Sequence, residues 1–205
     1  MQQLLIATTN PGKLEEIKKF LGDIPYTLVS LKDAGIMDSV EETGKTFEEN
    51  AILKARHYAK ESGLMTLADD GGFEIDALHG EPGVKSHRWV QGNRESTDEE
   101  LIEYTFRRMK DIPEGKRQAQ LRLVLALVSS DGDVLATVEE AVRGVVPAKR
   151  SSGHVEGFPY RSILFLLEIN KYYDQNIMTA EETEKYNHRK RAVEKLVPVL
   201  QQIAS

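Results

Sequence analysis

Two adjacent carboxylates, Asp69 and Asp70, stand between an apolar run and a pair of glycines in the stretch Met65 to Gly72. A buried strand can deliver acids in this way to a place where flexible backbone, here at Gly71, lets a ligand come close. Neighbouring acids repel unless something cationic compensates, and a hard divalent metal is a common answer. The same eight residues also fit a strand that ends in a solvated Asp-Gly turn. The surrounding chain has to weigh one against the other.

Upstream, Leu4 to Ala7 reads as a short apolar strand, followed by Thr8, Thr9 and Asn10. Asn10 can cap a helix, Pro11 suits its first turn, Leu14, Ile17 and Leu21 form an apolar stripe, and Gly22 is a stop. Strand, polar turn and helix N-terminus together are a geometry that binds phosphate through unpaired N–H groups. Lys13 in the first turn opposes the helix dipole, which an anion held by Lys13 and the Thr8, Thr9 and Asn10 side chains would explain. An exposed lysine beside an ordinary cap is the plainer alternative. No Gly-x-x-x-x-Gly-Lys occurs, so this is not a Walker loop.

A second strand is predicted over Tyr26–Leu31, then an acidic loop with Glu41 and Glu42. Thr46 and Glu49 form a capping box that opens a helix to about Glu61, with Gly63 ending it. Asn50 and Lys54 lie four apart on that helix and can point at one place, or can be its wet face. Beyond the two acids, Gly80 to Gly83 is a turn, and Lys85, His87 and Arg88 make a basic cluster before Trp89. Thr97 and Glu100 cap a helix through Met109. Two long strands follow between Arg117 and Val146, with a hairpin turn at Ser130–Asp133. A loop over Ala148–Arg161, a buried strand over Ile163–Ile169, a short helix from Thr179 and a terminal helix over His188–Ile203, disturbed at Pro198, complete the order.

Composition narrows the function classes. The 205 residues suffice for one substantial core, and 40% hydrophobic with 29% charged residues is ordinary for a globular protein. There is no cysteine, which rules out disulfides, thiolate chemistry and cysteine-ligated zinc. The five histidines, at 57, 79, 87, 154 and 188, include no i,i+4 pair, so a histidine metal site is not expected. A net charge of −6 argues against nucleic acid as a partner. No apolar run has the length of a membrane span, the first residues lack the blocks of a signal peptide, and a cytoplasmic setting is expected.

In their order, these motifs resemble those of the inosine triphosphate pyrophosphatase family, house-cleaning enzymes for non-standard purine nucleoside triphosphates. The residues that carry the resemblance are Thr8-Thr-Asn10-x-x-Lys13, Glu41-Glu-Thr-Gly44, Phe47-x-Glu-Asn50-Ala-x-x-Lys54-Ala, Ala68-Asp-Asp70-Gly-Gly, Pro82-Gly83 with Ser86 and Arg88, and His188-Arg189. The resemblance covers nearly the whole chain and is closest up to Arg88. It implies an α/β fold of two lobes, with a long mixed central sheet flanked by helices and an active-site cleft between the lobes, in one domain over residues 1–205. It implies Mg2+-dependent hydrolysis (Mn2+ being possible) of ITP, dITP or XTP to the monophosphate and pyrophosphate by a homodimer. Carried across residue by residue, it makes Glu42 and Asp70 the metal ligands. Asp70 or Asp69 would orient or deprotonate the attacking water. Lys13 and Lys54 would neutralise phosphate charge, with Thr8, Thr9 and Asn10 donating hydrogen bonds. Asn50, Gly71, Ser86, Arg88, Phe158, Tyr160, Arg161, Lys185, His188 and Arg189 complete the expected substrate contacts.

The C-terminal half departs from the family pattern. The usual Gly-Phe-Gly-Tyr-Asp-Pro stands here as Gly157-Phe-Pro-Tyr-Arg-Ser162, so Arg161 replaces an aspartate that helps bind the base. The usual Ser-His-Arg is Asn187-His-Arg189, and a lysine normally four residues earlier falls at Thr183, with Lys185 nearby. Exchanging an acceptor for a bulky cation reverses the hydrogen-bond pattern offered to a base edge. Altered base preference, or nucleotide binding without turnover, are therefore the alternatives to the family reaction.

Overall fold

A computed structural model of the chain describes residues 2–92, 94–153, 155–174 and 176–205, so His154 lies outside it. Seven strands form one mixed sheet in the order β2-β1-β3-β4-β5-β6-β7. They are β1 (Gln2–Ala7), β2 (Tyr26–Ser30), β3 (Met65–Ile75), β4 (Gln118–Val128), β5 (Val134–Val145), β6 (Phe165–Leu166) and β7 (Lys171–Tyr172). The helices are α1 (Pro11–Leu21), α2 (Phe47–Ser62), α3 (Asp98–Arg108), α4 (Ala180–Tyr186) and α5 (His188–Ile203). β1 runs parallel to both β2 and β3, whereas β5, β6 and β7 pair antiparallel. The α/β expectation holds.

The chain divides into two compact units. The first comprises Met1–Gly71, Leu123–Glu140 and His188–Ser205. β1 lies between two parallel partners and is buried from Leu4 to Ala7. That is why it reads as an unbroken apolar run without alternation. Leu4, Ile6 and Leu67 on one sheet face meet Ile17 and Leu21 of α1 and Val193, Leu196 and Leu200 of α5. α2 packs on β1 through a face that includes Ala51, Ala55 and Tyr58. The second unit, Gly72–Arg122 with Ala141–Asn187, has its own core of Phe73, Ile75, Leu101, Ile102, Met109, Tyr160 and Tyr173.

Three expectations change. β3 does not end at the acids: it continues through Asp69, Asp70, Gly71 and Gly72 to Ile75. Gly72 serves close approach rather than a turn, since a Cβ there would stand 2.2 Å from the Ser86 Oγ and 2.7 Å from the Gly83 carbonyl oxygen. The apolar run Ile163–Ile169 is not one strand. Ile163 closes a 3-10 turn, only Phe165–Leu166 is paired, and the chain reverses at once, with Asn170 at φ 53°. Finally, α5 runs unbroken through Pro198, whose exposed position leaves to water the carbonyl that loses its partner.

Candidate functional site

Consecutive side chains of a strand point to opposite faces of its sheet. Asp69 and Asp70, although adjacent, therefore do not share one cation; each has its own partners. The expected like-charge pair is divided by the strand itself.

Asp69 shares the face of Leu67, toward α1 and α5. Its Oδ2 lies 3.0 Å from the Lys13 Nζ and 2.8 Å from an Arg189 guanidinium nitrogen. Arg189 also reaches Glu16 at 2.9 Å. Burial alone would raise the Asp69 pKa, but Lys13, Arg189 and Lys54 outweigh it and hold the carboxyl well below the ordinary range. Burial would lower the pKa of Arg189, and Asp69 and Glu16 raise it instead. This network gives Lys13 its reason to sit in the first turn of α1: it answers a buried aspartate. Asn10 caps that turn, its Oδ1 accepting from the Lys13 N–H at 3.1 Å, and the Thr8 Oγ1 accepts from the Asn10 N–H at 3.2 Å. Thr9 is exposed. His188 and Arg189 are buried at the start of α5. Glu16 was not anticipated; its spacing of three from Lys13 on one helix was the available signal.

On the opposite face, the Lys54 Nζ of α2 reaches the Glu42 Oε1 at 2.8 Å and the Asp70 Oδ1 at 3.1 Å. Among the described residues, the buried Asp70 Oδ2 finds no hydrogen-bond donor, and neither does the Asp69 Oδ1. Desolvation raises the pKa of Asp70, with Lys54 opposing and Glu42 adding to the rise. Burial would lower that of Lys54, yet Asp70, Asp69 and Glu42 raise it. Asn50 is not a wet-face residue: it is buried, and its Oδ1 accepts from the Gly44 N–H at 2.7 Å, pinning the loop that carries Glu42. A Cβ at Gly44 would stand 2.6 Å from that oxygen, so the loop needs glycine there. Thr46 caps α2 by accepting from the Glu49 N–H, but the Glu49 carboxylate turns to the Lys45 N–H, so the capping box is half formed. Among the described residues, no group of three or more His, Cys, Asp or Glu side chains is arranged to hold a metal.

The remaining expected contacts lie in the second unit. The Ser86 Oγ accepts from the Phe73 N–H at 2.8 Å and donates to the Gly83 carbonyl at 2.6 Å, fixing the turn that leads to half-buried Arg88. Tyr160 is buried: its ring stacks on Phe73 with centroids 4.7 Å apart, and its hydroxyl donates to the Ser86 carbonyl. Arg161 is buried, with its guanidinium 3.9 Å above the centre of the Phe158 ring. Lys185 is exposed on α4, 3.4 Å from Glu168. Thr183 lies on α4, and Asn187 is buried at its end.

The fold is thus a mixed-sheet α/β architecture with acids, lysines and an arginine gathered around one strand. The Ham1 family model matches residues 4–199, and the chain belongs to that family. It is 38% identical to the dITP/XTP pyrophosphatase of Photorhabdus laumondii over 98% of both chains. It is 39% identical to the protein of that name from Bacillus subtilis, again over 98% of both. The solved HAM1 protein of Coxiella burnetii superposes with a TM-score of 0.85 at 30% identity, covering 98% of this chain and all of that one. The Ham1 protein of Staphylococcus aureus gives 0.82 at 31%, with the same coverage.

Proposed function

We propose that this protein hydrolyses non-standard purine nucleoside triphosphates of the dITP and XTP type to the monophosphate and pyrophosphate. The observation that carries the reading is the division of β3. Among the described residues, each acid keeps one buried oxygen without a partner. Asp69, however, is held by two cations and is strongly acidic, while Asp70 meets Lys54 alone among them and has a raised pKa. A carboxylate of that second kind takes a proton from water more readily than one held by two cations. Asp70 therefore serves as the base: water loses its proton to Asp70, its oxygen bonds to the α-phosphorus, the bond from that phosphorus to the α,β-bridging oxygen breaks, and pyrophosphate departs. Lys13 and Lys54 neutralise phosphate charge as it shifts, and Asp69 with Arg189 fixes Lys13 in place.

A hard divalent ion fits this donor set. Glu42 and Asp70 lie within reach of a single ammonium, and the bare Asp70 oxygen awaits a partner. Magnesium commonly takes only one or two carboxylates and completes its shell with water and phosphate. When bound, it supplies positive charge to the phosphate oxygens. The nucleotide is the expected partner, in a cytoplasmic homodimer, and sedimentation at micromolar protein tests the dimer.

A second reading keeps the reaction and changes the base. Its support is Arg161, which places a cation against Phe158 where the family resemblance implies an acceptor. One experiment addresses both readings: pyrophosphate release from a panel of nucleoside triphosphates, with magnesium and with manganese. Turnover of dITP at least equal to every other nucleotide removes the second reading. Hydrolysis of none removes the first and leaves a nucleotide-binding protein, for which calorimetry would show binding without reaction.

A further inference from the structure

Lys54 bridges Glu42 and Asp70. Its ammonium, 2.8 Å from the Glu42 Oε1 and 3.1 Å from the Asp70 Oδ1, joins the two carboxylates that the proposed function assigns to metal. The Lys54 side chain is 12% exposed and that of Asp70 8%, so water screens that pair little, while Glu42, 29% exposed, is screened more. Buried Asp70, with the 29% exposed Glu42 beside it, needs a positive partner, and a lysine meets that need with a compact point charge on a flexible stem. A cation between the Glu42 Oε1 and the Asp70 Oδ1 would compete with the ammonium for the same two oxygens. An ammonium driven off without a new anion would itself be buried and unpaired, at high cost.

We propose that Lys54 is a built-in counter-ion for the Glu42–Asp70 site, exchanged for metal only when a polyphosphate arrives to take the ammonium. Metal and polyphosphate then bind with positive coupling, and the substrate-free protein holds divalent metal weakly. The inference rests on the metal assignment of Glu42 and Asp70. It concerns the order and linkage of binding rather than the reaction. The coupling is reciprocal, because linked binding free energies must be. Asn50 belongs to the device, since by holding the Gly44 N–H it keeps the Glu42 loop within reach of Lys54.

The test measures Mn2+ affinity by the loss of the free-ion electron paramagnetic resonance signal, with and without inorganic pyrophosphate. Wild type, Lys54→Met and Lys54→Arg are compared after circular dichroism has verified their fold. For the protein without pyrophosphate, Lys54→Met is expected to bind Mn2+ about tenfold or more tightly than wild type, and Lys54→Arg no more tightly. Pyrophosphate is expected to tighten Mn2+ binding in wild type by a larger factor than in Lys54→Met, where only its direct contact with the ion remains. Equal Mn2+ affinity in wild type and Lys54→Met, or an equal pyrophosphate effect in both, overturns the proposal. If Lys54→Met does not fold, the wild type decides: Mn2+ binding as tight without pyrophosphate as with it overturns the exchange. Failure of the underlying reading looks different, because Glu42→Gln and Asp70→Asn would then leave the Mn2+ affinity of wild type unchanged.

Discussion

At the scale of residues, position on a strand decides what two neighbouring aspartates do. Asp69 is the structural one, facing two cations with its side chain 1% exposed. Its pKa is held below the ordinary value, so its contribution to stability is present above about pH 4 and is lost as pH falls through the folded value. Asp69→Asn leaves Lys13 and Arg189 undercompensated in a buried place and is expected to cost about 3 kcal/mol at pH 7. Urea titrations at pH 7 and pH 3 check it, because the gap between variant and wild type must shrink at the lower pH. Asp70 has the opposite sign. Its pKa is raised, so its ionised form costs stability, a cost absent below the unfolded pKa and complete above the folded one. Asp70→Asn is expected to lower hydrolysis by about 10²–10⁴-fold while the metal-free protein melts no lower than wild type at pH 8. A large drop in melting temperature at pH 8 would make Asp70 a structural residue instead. None of this division was legible in Ala-Asp-Asp-Gly-Gly, whose residue types announce an acidic site and leave the partners of each acid unstated.

At the scale of elements, two glycines and one buried amide set the shape. Gly72 lets β3 pass the Ser86 turn, and Gly72→Ala is expected to destabilise by about 1–3 kcal/mol through forced backbone shifts, measured by thermal melting. A neutral substitution would mean that the Ser86 turn yields freely. Asn50 fixes the Glu42 loop from inside α2. Asn50→Ala is expected to raise the magnesium concentration needed for half-maximal activity more than it lowers kcat at saturating metal; the reverse pattern would place Asn50 in the chemical step. Helix limits were largely readable because caps are local: Asn10, Thr46, Thr97 and Thr179 each accept from the backbone three residues on. The strand expected over Ile163–Ile169 was not, because an apolar run of that length fits a 3-10 turn and a short edge strand equally well.

At the scale of the molecule, ligand binding should appear as stability. A polyphosphate that neutralises Lys13 and Lys54 binds the folded state and not the unfolded chain. A non-hydrolysable dITP analogue with magnesium, at about 100 times its Kd, is expected to add about 2.7 kcal/mol. For a chain of this size that is a rise in melting temperature of about 5–10 °C. The analogue without metal should give a smaller shift, because metal and phosphate bind together. Equal shifts with and without magnesium would oppose a role for the ion at Glu42 and Asp70.

The sequence by itself determined the α/β class, the order of most elements, the residue types of the site and the family resemblance, because patterning, caps and spaced motifs are local. It also marked Arg161 as a departure. Folding alone settles that Asp69 and Asp70 part to opposite sheet faces, that Tyr160 belongs to a core, and that Lys54 bridges Glu42 and Asp70. Those facts depend on which helix lies over which face of β3, and residues as distant as Lys13, Glu42 and Arg189 meet there only after the chain has folded.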